Sequence, residues 1–102
     1  MPIHAQMSPD SSQATIAIDG RFDFSQRAEF TAAYRGVDSP RTVEFIVDLS
    51  RTEYVDSSAL GMLLLLREFA GGDGSKIILK NCSGEVKRIL QVSNFHSLFR
   101  VD

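Results

Sequence analysis

The chain has 102 residues, of which 43% are hydrophobic and 24% charged, and its formal net charge is −2 at pH 7. This length suits one domain, predicted over residues 1–102, because a second hydrophobic core would need more chain. The composition is that of an ordinary globular domain, and the small negative charge argues against direct binding to the phosphates of nucleic acid.

The cysteine content and the apolar segments indicate where in the cell the protein is expected. Cys82 is the single cysteine, so no internal disulfide is possible, and a buried apolar role is expected for it. Residues 1–10 lack the basic and apolar segments of a secretory signal. The longest apolar run, residues 59–66, is far shorter than the roughly 20 residues that cross a bilayer. These features predict a cytoplasmic protein without a membrane segment.

The first half of the chain predicts a hairpin, a helix and a strand. Residues 2–7 are weakly β-compatible, and residues 13–20 alternate between apolar and polar side chains after a turn-rich cluster. Ser25 is a candidate cap for the following helix. Residues 42–49 form a second strand with apolar side chains on both faces, which is typical of a sheet covered by helices. The apolar stripe of the helix has i, i+3, i+4 and i+7 spacing, at Phe30, Ala33, Tyr34 and Val37.

The second half predicts alternating helices and strands. Residues 50–55 are expected to be a connection, and residues 57–70 a helix that is apolar on much of its surface. Residues 76–80 form a short apolar strand. Ser83 is a candidate cap for a third helix, and Asn94 a candidate left-handed residue at its end.

Residues 98–101 are expected to add a last strand. The resulting order, β-β-α-β-α-β-α-β, is typical of an α/β layered fold.

Asp56, Ser57 and Ser58 stand where the predicted connection ends and the leucine-rich helix begins. Asp56 is expected to be the N-cap, and Ser58 a first-turn residue that bonds to the backbone. The free N–H groups and the dipole at a helix start favour an anion by about 0.3–1 kcal/mol, so a phosphate on Ser57 would be tolerated. The alternative is that these residues only start the helix, since all three are common there.

Four short segments occur in an order that matches a known family. They are residues 20–23 (Gly-Arg-Phe-Asp), residues 56–61 (Asp-Ser-Ser-Ala-Leu-Gly), Val86–Leu90 and Ser93–Phe95. Together they resemble the anti-sigma factor antagonists, small bacterial proteins of the STAS family, over nearly the whole chain. The resemblance implies a STAS-like single α/β domain with a mixed four- to five-stranded sheet and flanking helices. One departure is Ala59, where the family often has glycine.

The resemblance also implies a function. In this family the residue matching Ser57 accepts phosphate from an anti-sigma factor with serine kinase activity. The unphosphorylated protein is expected to bind that partner and release a sigma factor, and phosphorylation is expected to end the binding. A separate phosphatase of the metal-dependent PPM type is expected to restore the free serine. Because the partner supplies the catalytic groups, this chain is not expected to be an enzyme.

Other residues are expected to form the partner surface. Sites in open α/β sheets gather beyond the carboxyl ends of strands, so Asp23 and Ser57 should be neighbours. Asp23 is either a solvated residue or, by the resemblance, part of the kinase contact. A glycine inside a helix costs about 0.8–1 kcal/mol relative to alanine, so Gly61 indicates close approach by the domain itself or by a partner. Phe24, Met62 and Leu63 are contact candidates, although the core is the favoured position for each of them. The predicted partner-binding residues are Asp23, Phe24, Asp56, Ser58, Gly61 and Met62.

Two other functions compete with this one. A non-catalytic STAS subunit of a transport or signalling complex would use the same fold as a fixed part. A small serine hydrolase is disfavoured because the residues around Ser57 lack the glycine-serine-glycine elbow. Residues 71–76 do not have the spacing of a phosphate-binding loop, and His4 and His96 are isolated, so no cofactor or metal site is expected.

Overall fold

The chain alternates between short strands and helices over residues 2–82 and 84–102, the part that the computed structural model describes. The strands are β1 (Ile3–Met7), β2 (Gln13–Ile18), β3 (Gly20–Phe22), β4 (Glu44–Asp48), β5 (Thr52–Val55), β6 (Lys76–Lys80) and β7 (Arg100–Val101). The helices are α1 (Arg27–Arg35), α2 (Ser57–Phe69) and α3 (Gly84–Val92). Single 3-10 turns cover Phe24–Gln26, Gly72–Gly74 and Phe95–Ser97.

The main sheet has five strands in the order β1-β2-β4-β6-β7. Among the described strands, β1 and β2 form the antiparallel pair of this sheet, which fits their connection by a short turn, whereas the parallel pairs are joined through helices. At the centre of the sheet Thr15 pairs with Ile46, and Ile46 pairs with Ile78. The predicted mixed sheet of four to five strands with flanking helices is therefore confirmed.

A row of aromatic side chains joins the helices to the sheets. The ring centroids of Phe22 and Phe30 are 5.1 Å apart, those of Phe30 and Tyr34 5.6 Å, and those of Tyr34 and Phe69 5.1 Å. Phe45 of β4 continues the row from Phe69 at 6.5 Å. This packing fixes α1 and α2 against each other and against β3, so the segments at the start of both helices have a defined relative position.

A second sheet contains only β3 and β5, which run parallel. Residues 50–55 were predicted to be a connection, and this was wrong for β5, Thr52–Val55. The pairing follows from long-range bonds: the Thr52 hydroxyl donates to the Ile18 carbonyl at 2.8 Å, and the Gly20 N–H donates to the Arg51 carbonyl at 2.9 Å. A strand this short has too few residues for its alternation to be recognised.

Several predicted boundaries change. The strand predicted over residues 13–20 is divided before Gly20, whose φ of +76° ends the first ladder. The strands predicted over 42–49 and 98–101 are shorter, at Glu44–Asp48 and Arg100–Val101. The N–H groups of Thr42, Leu98 and Phe99 bond within local turns, to the carbonyls of Ser39 and Phe95. Asn94 has the predicted left-handed conformation, with φ of +60°. The cap predicted at Ser83 lies outside the described residues.

The cap predicted for the first helix was wrong. Asp23, not Ser25, begins the helical segment, because its carboxylate accepts a hydrogen bond from the Ser25 N–H at 3.0 Å. The side chain of Gln26 accepts from the Asp23 N–H at 2.9 Å and completes a capping box. The chain then makes one 3-10 turn before α1 begins at Arg27.

Among the described residues, none of the helices combines the length and the hydrophobicity needed to cross a membrane.

Candidate functional site

Two aspartates leave the β3–β5 sheet at neighbouring positions. Phe22 pairs with Val55 in that sheet, and adjacent strands are about 4.8 Å apart. Asp23 follows Phe22 and caps the 3-10 turn, whereas Asp56 follows Val55 and caps α2. The segments that carry Asp23 and Ser57 therefore emerge side by side from one sheet edge.

Asp56 fixes the start of α2. Its Oδ1 atom accepts a hydrogen bond from the Ala59 N–H at 2.9 Å, so the predicted N-cap is confirmed. Ser57 is the first residue of the helix and is exposed. Its position places an anion at this residue at the positive end of a 13-residue helix.

Asp23 is held as a carboxylate by its neighbours. The Ser25 hydroxyl and the Ser25 N–H donate to it and lower the pKa of Asp23 below its usual value. The Arg21 guanidinium contributes in the same direction, with its Nε atom 3.5 Å from Oδ2 of Asp23. Asp23 is thus a fixed negative charge beside the segment that carries Ser57.

Arg21 and Tyr54 form a second exposed feature beside the site. The guanidinium carbon of Arg21 lies 4.1 Å from the centroid of the Tyr54 ring, within the range of a cation–π contact. The two residues are paired across β3 and β5. This pair was not predicted from the sequence because β5 was not predicted.

Four of the predicted partner-binding residues line one shallow depression between α1 and α2, which we call the α1–α2 groove. Its volume is about 280 Å³. Phe24 is 65% exposed at its edge, whereas Met62 is only 4% exposed. Leu63, the third contact candidate, is 1% exposed and belongs to the core. The groove is lined by Phe24, Arg27, Ser58, Gly61, Met62 and Leu65.

Arg27 and Leu65 were not among the predicted site residues. Leu65 lies within a run of leucines, and the sequence does not show which of these leucines face outward. Arg27 belongs to none of the recognised motifs. Ser58 was expected to bond to the backbone, but its side chain makes no hydrogen bond within the described part of the chain. Asp56 already accepts from the Ala59 N–H, and Ser58 is left half-buried beside the groove.

Gly61 has open space where a side chain would be. A Cβ atom built on it would meet no atom within 4 Å among the described residues, its own helical turn apart. Its backbone does not have the positive φ that favours glycine. Close packing inside the domain, one of the two explanations for this glycine, is therefore excluded for the described residues.

Comparison with known proteins gives the family. The family model described as "Mlab, STAS domain" matches residues 5–100. A STAS-domain containing protein of Pseudomonas aeruginosa (strain UCBPP-PA14) is 51% identical over 102 residues, which cover 99% of each chain. The protein therefore belongs to the STAS domain family, as the resemblance of its motifs implied.

Solved structures share the fold. The anti-sigma factor antagonist SpoIIAA, in its unphosphorylated form, is similar with a TM-score of 0.73 and 21% identity, over 98% of this chain and 87% of that one. A sulfate transporter family protein from Wolinella succinogenes is similar with a TM-score of 0.74 and 19% identity, over 94% of this chain and 79% of that one. The SpoIIAA-like fold thus occurs in proteins of different roles.

Proposed function

We propose that this protein is an anti-sigma factor antagonist whose binding to an anti-sigma factor is switched off by phosphorylation of Ser57. The exposure of Ser57 at the first position of α2 is the observation that supports this most directly. The fold it shares with SpoIIAA, whose unphosphorylated form has been solved, is consistent with the proposal.

The partner supplies the chemistry of phosphorylation. A serine hydroxyl is a weak nucleophile at neutral pH, so the partner provides the base, ATP and its metal ion. The Ser57 oxygen attacks the γ-phosphorus of ATP, ADP leaves, and the hydroxyl proton passes to the base of the kinase. A PPM-type phosphatase then hydrolyses the phosphoserine. Because this exchange requires ATP and acts on a sigma factor, it belongs in the cytoplasm, and this chain is a substrate and binding protein, not an enzyme.

Charge explains how the phosphate ends binding. Phosphorylation adds about −1.5 to −2, which takes the net charge from −2 to roughly −4 and concentrates the change beside Asp23. The start of α2 stabilises this charge by about 0.3–1 kcal/mol, so the domain stays folded. A partner surface packed on Ser57 would have to desolvate the phosphate or oppose it with its own carboxylates.

The partner surface consists of the residues around Ser57. Phe24 serves as the exposed apolar anchor, and Asp23 contributes a fixed carboxylate. Gly61 leaves space for a partner backbone or side chain to approach α2. The remaining members of this surface are Asp56, Ser58 and Met62.

Phosphorylation by the candidate kinase tests the proposal. Incubation with the kinase and ATP, followed by mass spectrometry, should place one phosphate on Ser57 of the wild type. Ser93→Ala, at an exposed serine outside this surface, is the matched control and should be phosphorylated normally, whereas Ser57→Ala should not be. Absence of phosphate, or an equal yield from Ser57→Ala, would refute the proposal. In a binding assay Ser57→Asp should bind the anti-sigma partner at least about tenfold more weakly than Ser57→Ala.

The second candidate is a fixed, non-catalytic STAS subunit of a transport or signalling complex. The similarity to a sulfate transporter family protein favours it as the alternative. In that case the assembly would not depend on the charge at position 57. Equal affinities of Ser57→Asp and Ser57→Ala for the co-purifying partner would support this second function over the first.

A further inference from the structure

The outward side of α1 carries an unusual surface. The opposite side of this helix places Phe30 and Tyr34 in the core. The outward residues are spaced three or four positions apart and therefore share one face of the helix, where they line a depression of about 690 Å³. We call this surface the α1 face; its residues are Phe24, Ser25, Arg27, Ala28, Thr31, Ala32 and Arg35.

The α1 face is shallow in the middle and cationic at both ends. Exposed helix surfaces usually carry long charged side chains of both signs. Here Ala28, Thr31 and Ala32 lie between Arg27 and Arg35, so another helix could approach closely.

Phe24 and Arg27 line both this depression and the α1–α2 groove, so the two surfaces are continuous. Leu65, 51% exposed, extends the apolar area on the groove side.

The charges of this surface are unbalanced. Its residues and those of the groove include two arginines and no carboxylate. Among the described residues neither Arg27 nor Arg35 has an ion-pair partner within 4.0 Å. Glu29, the acidic residue of α1, does not line the surface, and its Oε2 atom is buried. Asp23 adjoins one end of this surface, where Ser25 donates hydrogen bonds to its carboxylate. Along α1 itself the lining charges are Arg27 and Arg35, which are complementary to carboxylates on another molecule.

We propose that the α1 face docks an amphipathic α-helix of the protein partner, with an apolar stripe flanked by two carboxylates seven or eight residues apart. Arg27 and Arg35 are eight positions apart on one helix, about 12 Å along its axis. A partner helix that packs nearly parallel or antiparallel, at roughly 20°, would place its carboxylates at the same separation. Its apolar stripe would cover Phe24, Ala28 and Ala32.

A second copy of this chain does not have the required surface. If two α1 faces met about a twofold axis, arginines would oppose arginines. Each helix carries a single carboxylate, Glu29 in α1, Glu68 in α2 and Glu85 in α3, so none of them presents two carboxylates seven or eight residues apart. The occupant is therefore a different protein. The inference rests on the proposed function only in identifying that protein with the anti-sigma partner.

Two synthetic peptides test the inference. Each is a stapled helix of about 18 residues with leucine and alanine on one face; one carries glutamates eight positions apart beside that face, and the other carries lysines at the same positions. Titration into the ¹⁵N-labelled protein, followed by heteronuclear NMR, gives both the affinity and the contacted amides. The glutamate peptide should bind at least about tenfold more tightly than the lysine peptide and should shift the amides of Phe24, Ala28, Ala32 and Leu65.

Charge-reversal variants test whether Arg27 and Arg35 are the residues that bind the glutamates of the peptide. Arg27→Glu combined with Arg35→Glu should remove the preference for the glutamate peptide. Lys87→Glu combined with Arg88→Glu changes the net charge equally on α3 and should preserve the preference. Circular dichroism and thermal unfolding check that both double variants are folded.

Several results would overturn the inference: no binding, equal affinities of the two peptides, shifts confined to other surfaces, or concentration-dependent shifts that show self-association through α1. Phosphorylation of Ser57 in the wild type is measured separately. If phosphorylation occurs but the peptide does not bind, only the docking inference fails; if the peptide binds but Ser57 is not phosphorylated, only the proposed function fails.

Discussion

Phe22 of β3 pairs with Val55 of β5, and both side chains are buried where their strands end. Each is followed by an aspartate that caps a helical segment, Asp23 for the 3-10 turn and Asp56 for α2. This pair therefore sets the spacing between the start of the α1 segment and the start of α2. The site depends on it, because a shift of one residue in the register would move Asp23 relative to Ser57.

The hydrogen bond from the Ala59 N–H to the Asp56 side chain should contribute measurably to the free energy of unfolding. Replacing Asp56 with alanine removes the acceptor for the Ala59 N–H and should lower the free energy of unfolding by about 0.5–2 kcal/mol. Asp56→Asn is the matched control and should lose much less, because asparagine also caps helices well. Urea denaturation followed by circular dichroism gives both values. Equal losses in the two variants would show that the cap itself does not contribute.

Gly61→Ala should stabilise the domain. Alanine is favoured over glycine inside a helix by about 0.8–1 kcal/mol, and the added Cβ would meet no atom within 4 Å among the described residues. Urea denaturation should therefore give a higher free energy of unfolding. If the partner packs against this position, the same variant should bind it more weakly. A destabilised Gly61→Ala protein would contradict the open space described for this position.

Replacing two phenylalanines near the site with alanine should have different effects, one on stability and the other on partner binding. Phe22→Ala removes a fully buried ring in contact with Phe30 and should cost about 3–5 kcal/mol of unfolding free energy. Phe24→Ala removes an exposed ring and should change stability by no more than about 0.5 kcal/mol while weakening partner binding. Thermal unfolding and a partner pull-down separate the two effects. Unchanged binding by the Phe24 variant would remove Phe24 from the contact surface.

The thiol of Cys82 should be unreactive in the native protein. Burial raises the pKa of Cys82 to about 11, so roughly one molecule in a thousand carries the thiolate at pH 8. Reaction with a disulfide reagent at pH 8 should be slow in the native state and rapid in urea. Comparable rates in the two conditions would indicate that the thiol is accessible in the folded chain.

Ionisation of Asp23 should depend on Ser25. Hydrogen bonds from Ser25 lower the pKa of Asp23 below 3.8, so the carboxylate favours the folded state above the unfolded pKa, and this contribution is lost as the pH falls through the lower folded pKa. Ser25→Ala should raise the pKa of Asp23, as measured by carboxyl ¹³C NMR. As a matched control, Ser12→Ala should raise the pKa of Asp10, which lies at about 2, and leave Asp23 unchanged. An unchanged Asp23 titration in Ser25→Ala would exclude this hydrogen bond.

Elements whose formation depends on neighbouring residues could be predicted from the amino-acid sequence. The alternation in β2 and β4, the leucine-rich helix after Asp56 and the left-handed Asn94 were all predictable, because burial and capping act through neighbouring residues. The motifs at residues 20–23, 56–61, 86–90 and 93–95 together also indicated the STAS family, which the comparisons confirm.

Which side chains share a surface depends on long-range packing and could not be predicted from the sequence. The β3–β5 sheet depends on bonds between residues more than 30 positions apart, such as that from Thr52 to Ile18, so the pattern of either short strand does not reveal it. The exposure of Phe24 and the burial of Met62 depend in the same way on how α1 packs against α2. The same holds for the α1 face, where Arg27 and Arg35 have no ion-pair partner among the residues that the structure describes. Burial and ion pairing depend on how the elements pack and are not encoded at single positions.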